Sequence, residues 1–290
     1  MTGKKSTLAN SIYSTVVFFD AQDLPLTLLE IKSNLLKSEN GSLSEIESTL
    51  QTELQDDVEH QSGLYFLRGR RNLVENRQSR YQVSLLRFIR ARRMLKPLRF
   101  FPYLRAVAIS GSLAIGNSQD SSDIDLFIVT KNNRIWLSRF LVSVYFQILA
   151  ARRHGDKIRN RFCLNHYVTE DSVITEDRNL YTAAEYASLL PVLGLPAVEK
   201  FWQKNPWIRG YLQDPVPDPG ASFGFAFGVI QKPLEFVWDW TIAPALNHLL
   251  GVYQKNRIRM QDYILVSDRE LSFHPGSRGQ QILQKFAKFN

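Results

Sequence analysis

One run of residues constrains this chain more than any other: Val107-Ala-Ile-Ser-Gly-Ser-Leu-Ala-Ile-Gly-Asn-Ser-Gln-Asp-Ser-Ser-Asp-Ile-Asp-Leu-Phe-Ile-Val-Thr130. Residues 106–109 form a short apolar strand closed by Ser110-Gly111-Ser112, and residues 124–130 form a second strand rich in β-branched and aromatic side chains. Asp123 and Asp125 open that second strand, two residues apart, so they share one of its faces. Like charges held side by side repel, and a divalent cation is the usual remedy. Oxygen-only ligands favour Mg²⁺ or Mn²⁺, with phosphate oxygens and water completing the shell. Gly111 lets backbone approach a ligand closely, and the turn with Ser112 supplies N–H donors and a hydroxyl, the groups a triphosphate needs.

Strand, Gly-Ser turn, spacer and Asp-x-Asp strand, in that order, resemble the nucleotidyltransferase superfamily of the DNA polymerase β type. The Gly-Ser-Leu-Ala, Ser-Asp-Ile-Asp-Leu, Phe-Cys-Leu-Asn and Tyr-Thr-Ala segments are similar to a group of prokaryotic nucleotidyltransferase-domain proteins with no assigned substrate. The resemblance covers nearly the whole length. It implies an α/β (α+β) nucleotidyltransferase core with a short mixed sheet, flanked by an N-terminal winged-helix-like unit and a C-terminal helical region. It also implies Mg²⁺-dependent transfer of a nucleoside monophosphate from an NTP, ATP being the expected one, to an unknown acceptor, whether small molecule, protein or RNA. Asp123 and Asp125 would then be catalytic and hold the metal. Gly111 and Ser112 would bind the β- and γ-phosphates, with Lys131 or Arg134 neutralising the leaving pyrophosphate.

The superfamily usually carries a third carboxylate on the next core strand. Here that strand is residues 161–169, and the matching residue is Asn165. An amide can ligate a metal through its oxygen, but it carries no charge and cannot act as a base. His166 points to the opposite face of a regular strand; Cys163, Asn165 and Tyr167 share the other. Glu170 and Asp171 follow the strand as further candidates. Arg161 and His166 also have a ribonuclease-like Arg-x₄-His spacing, which belongs on helices rather than strands. Asn165 supports an alternative reading: a weak or inactive nucleotidyltransferase fold acting as a nucleotide-, nucleic-acid- or protein-binding regulator.

Charge is uneven along the chain. The net charge is +8, yet between Arg68 and Arg105 stand 12 Lys/Arg and one acid, Glu75, a local net of 12 − 1 = +11. Such a stripe binds an anionic partner or is a solvated helix face. The one cysteine, Cys163, allows no intrachain disulfide and fits a reducing, cytoplasmic setting. The apolar stretches 140–151 and 240–254 are too short to span a membrane, and the N-terminal residues lack a signal-peptide core.

Four regions follow: a winged-helix-like unit (1–71), a basic connecting helix (72–99), the nucleotidyltransferase core (100–175) and a helical region (176–290). In the first, apolar periodicity and two capping boxes, Thr27/Glu30 and Ser42/Glu45, predict three helices. A hairpin follows, turning at Gln61-Ser62-Gly63. The third helix turns Glu45, Glu47 and Glu53 outward, which favours a structural or protein-docking role over DNA reading. Residues 72–97 read as one helix with an apolar stripe of Leu73, Tyr81, Leu85, Leu86, Ile89 and Leu95. Residues 134–153 read as an apolar helix buried on more than one side, with His154 as a cation at its C-terminus. The aromatics of 176–213 read as core. Residues 214–220 read as a linker, residues 223–259 as an amphipathic stretch broken at Pro233 and Pro244, and residues 278–289 as a last helix.

Overall fold

Both expected capping boxes are formed. Thr27 opens α2 (Leu28–Ser33) and Ser42 opens α3 (Leu43–Thr52), each exchanging hydrogen bonds with the Glu three residues on. With α1 (Thr7–Asp20) they enclose Ile12, Val16, Ile31, Ile46 and Leu50, all buried. α2 is shorter than its sequence pattern: Leu35 and Leu36 are buried beyond its end, where Leu36 pairs with Leu212. The computed structural model describes residues 5–36, 41–212, 224–258, 264–273 and 277–288; the expected linker at 214–220 lies outside them.

The hairpin pairs β1 (Val58–Gln61) with β2 (Leu64–Leu67) around Ser62 and Gly63, both at positive φ, as a tight two-residue turn requires. All four β2 side chains are buried, Leu64 and Phe66 against Leu73 and Val74, Tyr65 and Leu67 in the main core. This hairpin is packed on both faces.

α4 (Asn72–Leu95) keeps only the two ends of its expected apolar stripe. Leu73 and Leu95 are buried, but Tyr81, Leu85, Leu86 and Ile89 are exposed, and Ser84, Arg87 and Ala91 are buried instead. The arginines face inward because they have acceptors there. Arg77 binds Glu30 at 2.5 Å, and Arg80 reaches the Asp23 carbonyl and the Asn117 amide oxygen, each at 3.1 Å. Arg87 donates to the carbonyls of Gln119 and Asp120, and Arg90 to that of Asn160. Much of the basic stripe thus clamps the loop that carries Asp123. Arg87→Leu should lower unfolding free energy by about 2–4 kcal/mol, because two carbonyls lose their donor. Chemical denaturation checks this; a loss below about 1 kcal/mol would mean that Arg87 is no clamp.

A six-stranded mixed sheet follows, in the order β6 (Leu190–Leu193), β3 (Leu104–Ser110), β4 (Ile124–Thr130), β5 (Phe162–Thr169), β8 (Glu270–Ser272), β7 (Leu265–Val266). β3 and β4 are antiparallel; β4 and β5 are parallel, joined through α6 (Ile135–Ile148). Three strands were not legible beforehand. β6 contains Pro191, which an edge strand tolerates, and β7 and β8 are only two and three residues long.

One sheet face carries Val107, Ile109, Leu126, Ile128 and Tyr167, covered by α6. On the other face, Ala108, Phe127, Val129 and Val168 join the N-terminal helices, α7 (Leu180–Ala187) and α8 (Leu195–Lys204) in one cluster. The aromatics Tyr186 and Phe201 are buried in it. α11 (Ser277–Ala287) packs here too, with Phe286 edge-on to Phe18 at 5.7 Å.

α6 ends five residues earlier than its sequence pattern. Ala150 takes a φ of +47°, the chain reverses, and residues 151–153 lie along the start of β5. Its first half is buried, but Phe140, Val144 and Ile148 are exposed, so burial on more than one side holds only in part. His154 therefore caps no helix. The amphipathic stretch 223–259 is interrupted ahead of Pro244, where α9 (Gln231–Trp240) ends and α10 (Ala243–Ile258) begins; Pro233 and Pro244 each sit in the first turn of a helix, so Pro233 breaks none.

Candidate functional site

Three strand ends converge at one corner of the sheet. Ser110 is in register with Asp125, and Asp125 with Cys163, so the end of β3 and the starts of β4 and β5 form one row. Gly111 follows Ser110 at φ +64°, and a Cβ there would lie 2.6 Å from Asp125 Oδ2. The glycine is demanded twice, by the left-handed backbone and by the carboxylate packed against it. The Ser110 hydroxyl is buried with no hydrogen-bond partner among the described residues.

β5 departs from regular alternation. Its register against β4 shifts between Cys163 and His166, so Leu164 and Asn165 together face the single residue Leu126. That bulge places Asn165 and His166 on the same side of the sheet and sends Tyr167 to the other, correcting the alternation expected of a flat strand. Asn165 is buried, and its Nδ2 donates to Asp125 Oδ1 at 2.8 Å. His166 lies deeper, between Phe127 and Tyr186, with Nε2 3.3 Å from Glu270.

Asp123 sits beside its partner carboxylate and binds Arg153 at 2.6 Å. Ligand atoms of Asp123, Asp125 and Cys163 all lie within 4.8 Å of one another. Burial pushes the Cys163 thiol up, and the two carboxylates push it further, so it stays protonated at neutral pH. The cluster offers two carboxylates and a thiol, with the Asn165 amide beside them, and its oxygen donors suit Mg²⁺ or Mn²⁺. That set and the unpartnered Ser110 hydroxyl fit a divalent ion with a polar ligand beside it.

The structure thus brings together Gly111, Asp123, Asp125 and Asn165, with Ser112 next in the chain. It does not bring Lys131 and Arg134 to them. Both stand past the far end of β4, about 20 Å along the strand, and both are paired with Asp239. Glu170 and Asp171 are likewise past the far end of β5, facing Arg105 and Lys204 respectively.

The basic groups at this corner are others, and sequence reading missed them. A parallel pair starts both strands at one end, so cations preceding β5, not those following β4, meet the carboxylates. Arg152 and Arg153 were the available signal, together with Cys163, two residues before Asn165.

No protein-family model matches the chain. No curated protein and no solved structure matches it either. The functional reading therefore rests on these residues.

Two spaces flank the carboxylates. Beside Gly111 and Ser112 is a cavity of about 50 Å³, walled by Tyr181 and Glu185 of α7 and Arg278 of α11. Beside Cys163 and Asn165 is a cleft of about 940 Å³ between α6 and α10. No helix among the described residues is long and apolar enough to cross a membrane.

Proposed function

We propose that this chain is a divalent-metal-dependent nucleotidyltransferase with a polymerase β-type core, acting through Asp123 and Asp125. The observation that carries the reading is the fit of Gly111 against Asp125, with no room for a side chain between the Gly-Ser turn and the carboxylate. Asp123 and Asp125 would hold Mg²⁺ or Mn²⁺, with the Asn165 amide beside them. The ion would supply charge stabilisation on the reacting and leaving phosphate oxygens.

The remaining work falls to the chain itself. The backbone N–H groups of the Gly-Ser turn and the Ser112 hydroxyl bind triphosphate oxygens. Arg153 holds Asp123 in its direction at 2.6 Å and keeps a positive charge at the edge of the site. The reaction joins an acceptor oxygen to the α-phosphorus of the nucleotide, breaks the α–β bridging bond and releases pyrophosphate. Asn165 takes no proton from that acceptor, so a hydroxyl acceptor gives its proton to water.

A regulator that binds nucleotide without turnover is the second reading. Asn165 in place of a third carboxylate favours it, because an amide cannot act as a base. The cavity beside Gly111 and Ser112, about 50 Å³, is smaller than the ~300 Å³ a nucleotide-sized ligand occupies, so both readings require Tyr181 and Arg278 to part from the turn.

Titration with Mn²⁺ in the presence of ATP tests the metal site. The wild type binds, and Asp123→Asn/Asp125→Asn loses at least a hundredfold in affinity. Asn165→Asp tightens Mn²⁺ severalfold, since a third negative charge near a cation strengthens binding whatever the acceptor. Equal Mn²⁺ affinity in all three proteins would remove the metal from this corner.

A further inference from the structure

The 940 Å³ cleft beside Cys163 and Asn165 has an unusual lining. Arg139, Arg152, Arg153 and Arg257 contribute to it, His154 joins them, and no Asp or Glu is among the described residues that line it. Arg153 is shared with Asp123, but Arg139, Arg152 and Arg257 have no carboxylate within ion-pair distance among the described residues. Arg139 is the telling one. Burial lowers its pKa, and its partners are neutral: the amide oxygen of Gln254, and the ring of Phe273 at 4.7 Å. A partly buried guanidinium held by an amide and a ring is costly to keep unless an anion completes its shell. Four guanidinium forks around one space suit bidentate phosphate recognition better than they suit a lone carboxylate.

The position of the cleft adds a second constraint. It opens on the Asn165 side of the carboxylates, away from Gly111 and Ser112. Asn165 is a residue that can neither deprotonate an acceptor nor repel an anionic one. An acceptor that is already an oxyanion needs no base, and a third carboxylate beside it would be unfavourable. Arginine lining and missing carboxylate thus call for the same ligand chemistry.

We propose that the cleft formed by Arg139, Arg152, Arg153 and Arg257 binds a phosphate monoester, which is the acceptor of nucleotidyl transfer. Binding in the cleft stands on the lining alone; the acceptor role rests on the transferase reading above. In the transfer, a phosphate oxygen of the monoester bonds to the α-phosphorus of the nucleotide. The bond to the β-phosphate oxygen breaks, and pyrophosphate leaves. The product carries a new P–O–P linkage, and no proton need be removed from the acceptor.

Calorimetric titration with phenyl phosphate, without divalent ions, reads the cleft alone. The wild type is expected to bind, and Arg139→Gln/Arg257→Gln to bind about tenfold more weakly or worse. Arg257 is exposed, so Arg257→Gln alone keeps the fold and is expected to weaken binding severalfold. Asp123→Asn/Asp125→Asn is expected to bind phenyl phosphate at least as tightly as wild type, because two negative charges are gone. No binding by the wild type, or equal binding by the folded arginine variants, overturns the proposal while leaving Mn²⁺ and ATP binding at the carboxylates untouched.

A second arm adds ATP and Mg²⁺ to the phenyl phosphate and follows pyrophosphate release. Release that depends on both Asp123/Asp125 and Arg257 supports the acceptor role. Phenyl phosphate binding with ATP-dependent release unchanged by Arg257→Gln overturns that role. Loss of Mn²⁺ and ATP binding at the carboxylates, with the cleft still binding phenyl phosphate, defeats the transferase reading and leaves the anion cleft standing.

Discussion

Gly111→Ala should cost transfer activity roughly a hundredfold or more while the protein stays folded. The backbone here has φ +64°, where an alanine costs about 1–2 kcal/mol. The larger effect is on geometry. The new methyl would stand 2.6 Å from Asp125 Oδ2, so either the carboxylate or the turn must move. Displacing a reacting group by about 1 Å can lose about a hundredfold in rate. Gly116 provides the matched control. Its φ is also +64°, but the nearest atom to an added Cβ is Tyr81 Cδ2 at 3.7 Å. Gly116→Ala should therefore lose similar stability and keep its activity. Equal activity in both variants would show that Asp125 does not need its place beside the turn.

Gly194→Ala should have the largest effect on folding of any single methyl addition considered. Gly194 follows β6 and caps α8 at φ +69°. A Cβ there would fall 1.9 Å from the Arg105 carbonyl oxygen and 2.7 Å from the Phe227 ring. The carbonyl belongs to β3, the strand that leads into the Gly-Ser turn, so it cannot yield without disturbing the sheet. Backbone strain and overlap together should destabilise the chain by about 3–5 kcal/mol. Urea denaturation measures this; a loss under about 1 kcal/mol would mean that β6 and β3 do not approach this closely.

Much of this architecture was legible in the sequence where local rules act alone. Capping boxes at Thr27 and Ser42, the Ser62-Gly63 turn and the β4 run 124–130 all follow from nearest-neighbour chemistry. The sites of failure share a cause: they depend on what the chain meets from far away. α4 shows the middle of its apolar stripe to solvent because carbonyls of residues 119, 120 and 160 draw Arg87 and Arg90 inward. Pattern reading cannot see acceptors 30 to 70 residues distant.

The candidate site divides in the same way. Asp123, Asp125 and Gly111 were readable because one strand and one turn set their spacing. Lys131 and Arg134 follow Asp125 closely in sequence, but β4 carries them away from the carboxylates to Asp239. Arg153 arrives through a chain reversal at Ala150 that no residue type announces. The side chain of Asn165 lies beside Asp125, but through a bulge rather than through simple alternation.

The most direct measurement is transfer itself. The protein is incubated with each nucleoside triphosphate labelled at the α-phosphate, with Mg²⁺ or Mn²⁺, and with cell extract as the source of acceptor. The account predicts a labelled product from the wild type and none from Asp123→Ala/Asp125→Ala. A labelled product from both proteins alike, or tight nucleotide binding by the wild type with no transfer under any of these conditions, would contradict it.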